Sequence, residues 1–288
     1  MTVIVGCVVV LAAVLTGFSM AGGHVGALIH ASEFVTIGGA ALGALIVMSP
    51  KKVLIDLGRG ILQTIKGTPY NQQAYVDLFK ASYELFRIAR QGGLMALEPH
   101  ISSPHESAIF QKYPRIAGNH HVVQFMCGAL MPMLDGTTKP EQLPAILAGE
   151  IRMIEAEHHG PLNVLSKTAD SLPGFGIVAA VLGIVVTMGA IDGPVEEIGE
   201  KVGAALVGTF LGILLSYGFC APLAVRMEFL VEAELGFFRT ISVIIQGFGQ
   251  GAAPKVAIEQ ARRAMATEMR MEREELDQLF ESVDKAPE

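Results

Sequence analysis

The chain has 288 residues, 51% of them hydrophobic and only 17% charged, with a mean hydropathy of +0.47. That is too little charge to cover an ordinary water-facing surface, so part of the chain belongs in a bilayer. Its 28 acidic residues outnumber its 21 basic ones for a net charge of -7, which leaves no overall basic field to draw it to nucleic acid.

Crossing about 30 Å of hydrocarbon at about 1.5 Å per residue takes roughly 20 apolar residues without formal charge. Thr2 to Met20 meets that requirement, and no Lys or Arg precedes Lys51. The basic segment of a cleavable signal is therefore absent, and the stretch reads as a retained helix. A short segment with His24, His30 and Glu33 follows, then a second charge-free span from Phe34 to about residue 50. Two further clean spans run from Ser171 to Ile191 and from Val202 to Val225, joined by a short acidic turn holding Asp192, Glu196, Glu197, Glu200 and Lys201. The spacing thus predicts an all-α membrane protein with four transmembrane helices. A transmembrane hairpin occupies 1–50 (spans about 2–20 and 34–50) and a second occupies 171–225. A long helical loop at 51–170 and a tail at 226–288 together form a helical cytoplasmic domain.

Orientation follows from the basic residues. Of the 21 Lys and Arg, all but Lys201 fall in the loop or the tail, and the positive-inside rule puts both, with the N-terminus, in the cytoplasm. Lys51 and Lys52, directly after the second span, are the strongest anchor. In the loop, Tyr75, Leu78, Phe79, Ser82, Leu85, Phe86 and Ala89 recur at helical spacing from Gln72 to Arg90, and Gly92-Gly93 supplies a stop. In the tail, Ala261, Ala264, Met265, Met269, Leu276, Phe280 and Val283 mark another amphipathic helix, and the last residues, ending Lys285-Ala-Pro-Glu, are expected to be disordered.

An ion path through a bilayer usually shows itself as an ionisable side chain within a span. None of the four stretches has one, so a proton relay would have to borrow its titrating group from another chain. What the last two spans carry is small residues: Ala204, Gly208, Gly212 and Ser216 on one, Gly176, Ala180, Gly183 and Thr187 on the other. This small-xxx-small pattern fits close packing within the chain or between copies, or a groove for a partner helix. Pro173 and Pro222 lie at about one membrane depth, where each is either a helix terminus marker or a bend. Arg90 and Glu98 flank Gly92-Gly93 and would ordinarily be solvated charges. Cys7, Cys127 and Cys220 are odd in number and lack CxxC spacing, so free thiols are expected. Glu150, Glu155, Glu157, His158 and His159 do not share a helix face in a way that would hold a metal. With no phosphate loop, GxSxG or Cys/His nucleophile context, neither a cofactor nor enzymatic activity is expected.

Three stretches carry a family likeness: Leu172-Pro-Gly-Phe-Gly-Ile-Val-Ala-Ala-Val-Leu-Gly, Val207-Gly-Thr-Phe-Leu-Gly-Ile-Leu-Leu-Ser-Tyr-Gly-Phe, and Ala221-Pro222-Leu223. They resemble the paired membrane motifs of the flagellar stator A subunits (MotA), in the MotA/TolQ/ExbB proton channel family. Arg90-Gln-Gly-Gly-Leu-Met-Ala-Leu-Glu98 resembles that family's charged cytoplasmic motif. The resemblance implies an inner-membrane ring of five copies around two copies of a B subunit whose single helix carries a membrane-embedded Asp. Ion flow past that Asp turns the rotor. By position, Pro173 and Pro222 would couple ion passage to the cytoplasmic body, and Arg90, Glu98 and Glu150 would meet the rotor's switch protein. Ala180, Thr209 and Tyr217 would line the ion path. Sodium-driven relatives carry a Thr at the position of Ala180, and losing that oxygen favours the proton. An ExbB/TolQ-type energiser shares the last two spans but has a single span before its loop. A non-conducting membrane scaffold would use the small-residue ladders for packing only.

Overall fold

A computed structural model of the chain describes residues 2–285. The disorder expected of the final Ala-Pro-Glu lies outside them. Among the described residues the regular structure is helical throughout, without a strand. In chain order the helices are α1 (Thr2–Met20), α2 (Ala31–Met48), α3 (Lys51–Lys66), α4 (Gln72–Gly92), α5 (Glu98–Ser102), α6 (Ala108–Lys112), α7 (Pro114–Ala117) and α8 (His120–Leu134). They continue with α9 (Leu143–Met188), α10 (Val195–Ile213), α11 (Ala221–Gly249), α12 (Pro254–Ala264) and α13 (Arg273–Asp284). Four helical stretches are long and apolar enough to cross a membrane: Thr2–Met20, Val25–Met48, Pro140–Met188 and Val195–Gly249. The chain divides into two compact units, one of residues 1–67 and 157–230, the other of residues 68–156 and 231–288.

In the first unit, none of the side chains of α1 is buried. α2 buries one stripe only, Glu33, Ile37 and Ala41, at four-residue spacing. Ile37 and Ala41 meet Leu172 and Ala179 of α9 and Leu211 of α10 in a small apolar cluster. Directly after the Lys51-Lys52 pair, α3 lays Leu57 against Val164, Leu165, Ala224 and Met227. It closes at Gly67, whose φ of +99° is open to glycine without steric cost.

Three spans differ from the sequence pattern in instructive ways. α2 begins at Ala31 rather than at the first uninterrupted apolar residue, so Glu33 falls in its first turn. α9 runs 46 residues from Leu143, so Pro161 and Pro173 lie in its interior; a reading of Pro173 as a first-turn starter does not fit. After α10 the chain winds through a π-helical segment, Leu214–Cys220, straight into α11. There the Ala221 N–H reaches back five residues to the Ser216 carbonyl. This wider winding precedes Pro222, whose ring would clash with the carbonyl four residues back in a regular helix.

The second unit is organised around α4. The Asn71 side chain caps it by accepting the Ala74 N–H at 3.0 Å, and Gly93, at φ +80°, ends it as the Gly-Gly pair predicts. Its buried face is wider than an amphipathic surface helix needs, because Asp77 and Glu84 are buried with the apolar residues. Each is answered by a cation: Arg115 lies 3.0 Å from Asp77 and Lys112 lies 3.0 Å from Glu84. The Tyr113 hydroxyl also donates to Glu84 at 2.6 Å. Phe79, Phe86, Phe125, Phe237 and Phe238 fill the centre, with Phe86 stacked on Phe248 at a centroid distance of 3.9 Å. The tail is two helices rather than one, α12 and α13, since Met265 turns extended. Ala264 ends exposed, whereas Met265, Leu276, Phe280 and Val283 are buried.

Phe86→Ala removes a ring that is 1% exposed and is expected to cost about 3–5 kcal/mol, read as a lower denaturant midpoint for the purified full chain in detergent. A second expectation concerns Glu259, whose carboxyl the Arg262 and Arg263 guanidiniums beside it hold down at about 2. A depressed folded-state value stabilises the fold fully above the ordinary carboxylate range and loses that contribution as pH falls toward about 2. The gap in unfolding midpoint between the intact chain and Glu259→Gln should therefore be widest at neutral pH and close in acid.

Candidate functional site

The motif-bearing spans meet as a hairpin whose contact is backbone on backbone. A Cβ placed on Gly176 of α9 would lie 2.8 Å from the Gly208 carbonyl oxygen and 3.1 Å from Gly212 Cα. One placed on Gly212 would lie 2.7 Å from the Leu172 carbonyl oxygen, and one on Gly183 would lie 2.7 Å from Ala205 Cβ. Glycine is required at these positions because any side chain would push the helices apart. The small-residue ladders are thus used within the chain. The opposite faces of the hairpin carry large exposed apolar residues, among them Ile177, Val181, Ile184, Leu206 and Ile213.

Pro173 has a specific consequence here. Lacking an N–H, it leaves the Ala169 carbonyl without its partner in α9, and the Ser216 hydroxyl donates to that carbonyl at 2.7 Å. Ser216 is 1% exposed. The proline and the π-helical segment of the next span are therefore tied by one buried hydrogen bond. The sequence placed Ser216 among the packing residues; the signal available was its spacing from Pro173, legible only once the hairpin register is known.

Ala180 and Thr209 lie at one level of the hairpin, since the Ala180 backbone nitrogen is 3.2 Å from where a Gly208 Cβ would be. Both are half-buried. Tyr217, two turns further along, is 67% exposed. At the same level as Ala180 stands a residue that the sequence pattern left outside the spans. Glu33 is 6% exposed, its Oε2 lies 2.7 Å from a Cβ built on Gly208, and that oxygen has no hydrogen-bond partner. Glu33 is helical and falls within the Val25–Met48 stretch that is long and apolar enough to cross a membrane, one residue before the span expected from Phe34. The clue in the sequence was the preference for an acidic residue in a helix's first turn.

Arg90, Glu98 and Glu150 belong to the second unit. Arg90 is exposed at the end of α4, with its guanidinium donating to the Gly251 carbonyl at 3.3 Å. Glu98 is exposed at the start of α5. Glu150 is half-buried on α9, and burial pushes its carboxyl above the usual carboxylate range. Cys7, Cys127 and Cys220 are free thiols. Among the described residues no group of three or more His, Cys, Asp or Glu is placed to hold a metal ion.

Residues 4–93 match the model of the Motility protein A N-terminal family, and residues 118–240 match that of the MotA/TolQ/ExbB proton channel family. The chain is 35% identical to Motility protein A of Salmonella typhimurium and to that of Escherichia coli, in each case over 98% of this chain and 96% of the relative. It is 36% identical to chemotaxis protein LafT of Vibrio parahaemolyticus over 90% of both chains. Among solved structures it resembles C. jejuni MotAB, with a TM-score of 0.76 at 21% identity over 94% of this chain and 98% of the other. It also resembles the flagellar MotAB stator complex from Bacillus subtilis, with a TM-score of 0.72 at 22% identity over 89% and 92%.

Gly212→Ala should cost about 1–3 kcal/mol through enforced separation of the two spans, seen as a lower thermal unfolding midpoint in detergent. Gly174→Ala, where a Cβ meets nothing within 4 Å, should leave the midpoint unchanged.

Proposed function

This chain belongs to the Motility protein A branch of the MotA/TolQ/ExbB proton channel family, and from that premise we propose that it is the A subunit of a flagellar motor stator. With a B subunit it conducts ions down the electrochemical gradient across the inner membrane and converts that flow into torque on the rotor. The observation that carries the reading is the α9–α10 hairpin, closed through Gly176, Gly208 and Gly212 and locked by the Ser216 hydroxyl on the carbonyl that Pro173 frees. It lies inside the matched proton-channel segment, 118–240.

The loop 51–170, the tail from 226 and the N-terminus face the cytoplasm; the concentration of Lys and Arg in the loop and tail supports this. Copies of the chain, five in number, surround the B subunit. The unburied apolar surface of α1 and of the outer hairpin face supports such a ring, since that surface is covered by lipid or neighbouring helices. Thr209 and Ala180 line the ion path with Tyr217 at its end, and a single hydroxyl at that level suits a proton better than a sodium ion, which takes several oxygen ligands. Protonation of the B subunit's membrane Asp changes its fit to the hairpin, and Pro173 and Pro222 pass the change to the helical body.

Arg90, Glu98 and Glu150 meet the rotor's switch protein. Exposed ion pairs are worth about 0–1 kcal/mol each, which suits contacts made and released at every step and steers more than it grips. An energiser of the ExbB/TolQ kind is disfavoured by the first hairpin, which falls within the match to the Motility protein A N-terminal family at residues 4–93.

The test is swimming speed in a strain lacking its own A subunit, supplied with the cognate B subunit and with this chain or its Pro173→Ala variant at matched membrane levels. The intact chain should restore motility that follows the proton gradient and ignores sodium, and the variant should not. Restoration that follows sodium would overturn the ion assignment alone; no restoration would overturn the stator reading.

A further inference from the structure

Glu33 has no place in the mechanism above. It caps the buried stripe of α2 formed with Ile37 and Ala41, and it rests on α10 at Gly208, where the nearest other atoms are Ala179 Cβ and Ala180 N. A carboxyl that is 6% exposed with an unpartnered, fully enclosed oxygen is costly to bury. Replacing it with an apolar side chain would relieve that cost, so its presence calls for a cation to occupy it.

Charged and titratable groups on the surrounding elements do not supply one. On the preceding turn, Val25–Leu28 with its flanks, His24 and His30 are the candidates, and the His30 ring is engaged with the Ala27 carbonyl at 3.0 Å. At the start of α10, Glu196, Glu197, Glu200 and Lys201 precede Gly208 by two turns or more, and Lys201 is paired with Glu197 at 2.8 Å. Between Lys201 and Arg226, and on α9 from Ser171 to Met188, the sequence holds no Asp, Glu, His, Lys or Arg; α1 contributes only Cys7 as a titratable group. A metal ion is also a poor fit, because hard cations take several oxygen ligands and among the described residues no group of three or more His, Cys, Asp or Glu is placed to hold one.

The carboxyl lies beside a cleft that it does not itself line. The cleft, of about 790 Å³, is lined by Ala27 and His30 of the turn, Val14 and Phe18 of α1, and Ala204 and Val207 of α10. His30 and Glu33 are three residues apart, and Ala204 and Gly208 are four apart on one helical face. Cleft and carboxyl are thus consecutive along the same faces of the chain.

We propose that Glu33 is a proton-binding site of this subunit, filled from the cleft beside His30 and emptied toward the level of Ala180 and Thr209. The proposal rests on the stator reading and adds a titrating group to it. A hydronium ion in the cleft gives its proton to Glu33 Oε2 and leaves as water. The new O–H bond breaks again when the proton passes to a water molecule on the ion path, which carries it to the B subunit's carboxylate.

The experiment compares the intact chain, Glu33→Gln and Glu33→Asp in the strain lacking its own A subunit, with the cognate B subunit and matched membrane levels, as swimming speed against external pH. Expected are loss of swimming in Glu33→Gln and swimming in Glu33→Asp with a displaced pH profile. Glu33→Gln swimming like the intact chain at every pH would overturn the proposal, as would an unaltered profile in Glu33→Asp if the Gln variant fails to accumulate. Failure of the intact chain to swim sinks the stator reading instead, and a second arm then decides on Glu33. In that arm, infrared spectra of the purified intact chain in lipid should show a carboxylic-acid band that shifts in heavy water and disappears in Glu33→Gln. Absence of such a band overturns the proposal by itself.

Discussion

Backbone contact between α9 and α10 sets the terms for everything else in the membrane unit. Lipid tails give two helices no hydrophobic reason to associate, so the contact relies on close van der Waals approach. Gly176, Gly208 and Gly212 permit it because no Cβ intervenes. The same approach brings Ala180 level with Thr209, gives α2 a flat surface to seat Ile37 and Ala41, and presents the Gly208 backbone to Glu33. One larger residue in the seam would move all of these together.

Close packing also resolves the cost of two prolines. A proline inside a helix strands the carbonyl four residues back, and in hydrocarbon a stranded carbonyl must find a donor. For Pro173 the donor is the Ser216 hydroxyl on the neighbouring span. Before Pro222 the chain instead widens into the π-helical segment Leu214–Cys220, in which Ser216 itself sits. The two irregularities share a residue, so a shift in one helix is felt by the other through a single hydrogen bond. A pair of helix irregularities tied by one hydrogen bond is the kind of element that ion binding can bias.

The other unit obeys the rules of water-soluble cores. Its centre is a stack of phenylalanines around α4, and the acids buried beside them, Asp77 and Glu84, are held by Arg115, Lys112 and Tyr113. Each of these partners comes from the short helices α6 and α7 or the residue between them. The ion pairs thereby fasten an otherwise loosely wound stretch onto α4. Arg90 and Glu98, by contrast, are left exposed at its far end.

The sequence alone determined which parts are apolar enough to cross a membrane, since long charge-free runs suit hydrocarbon, and a Gly-Gly pair marked the end of α4. It also fixed which residues were small enough for a seam, because size is a property of the residue itself. Tertiary structure decided what the seam faces, since Gly208 can serve a partner helix or a neighbouring span with equal ease until the register of α9 on α10 is set. It decided that Pro173 lies mid-helix and needs Ser216, 43 residues away in number but adjacent in space. It also decided that Glu33 is part of α2 and buried against Gly208, because helix boundaries follow backbone hydrogen bonding and caps rather than the last charged residue, and a first-turn acid looks the same in sequence whether water or another helix covers it.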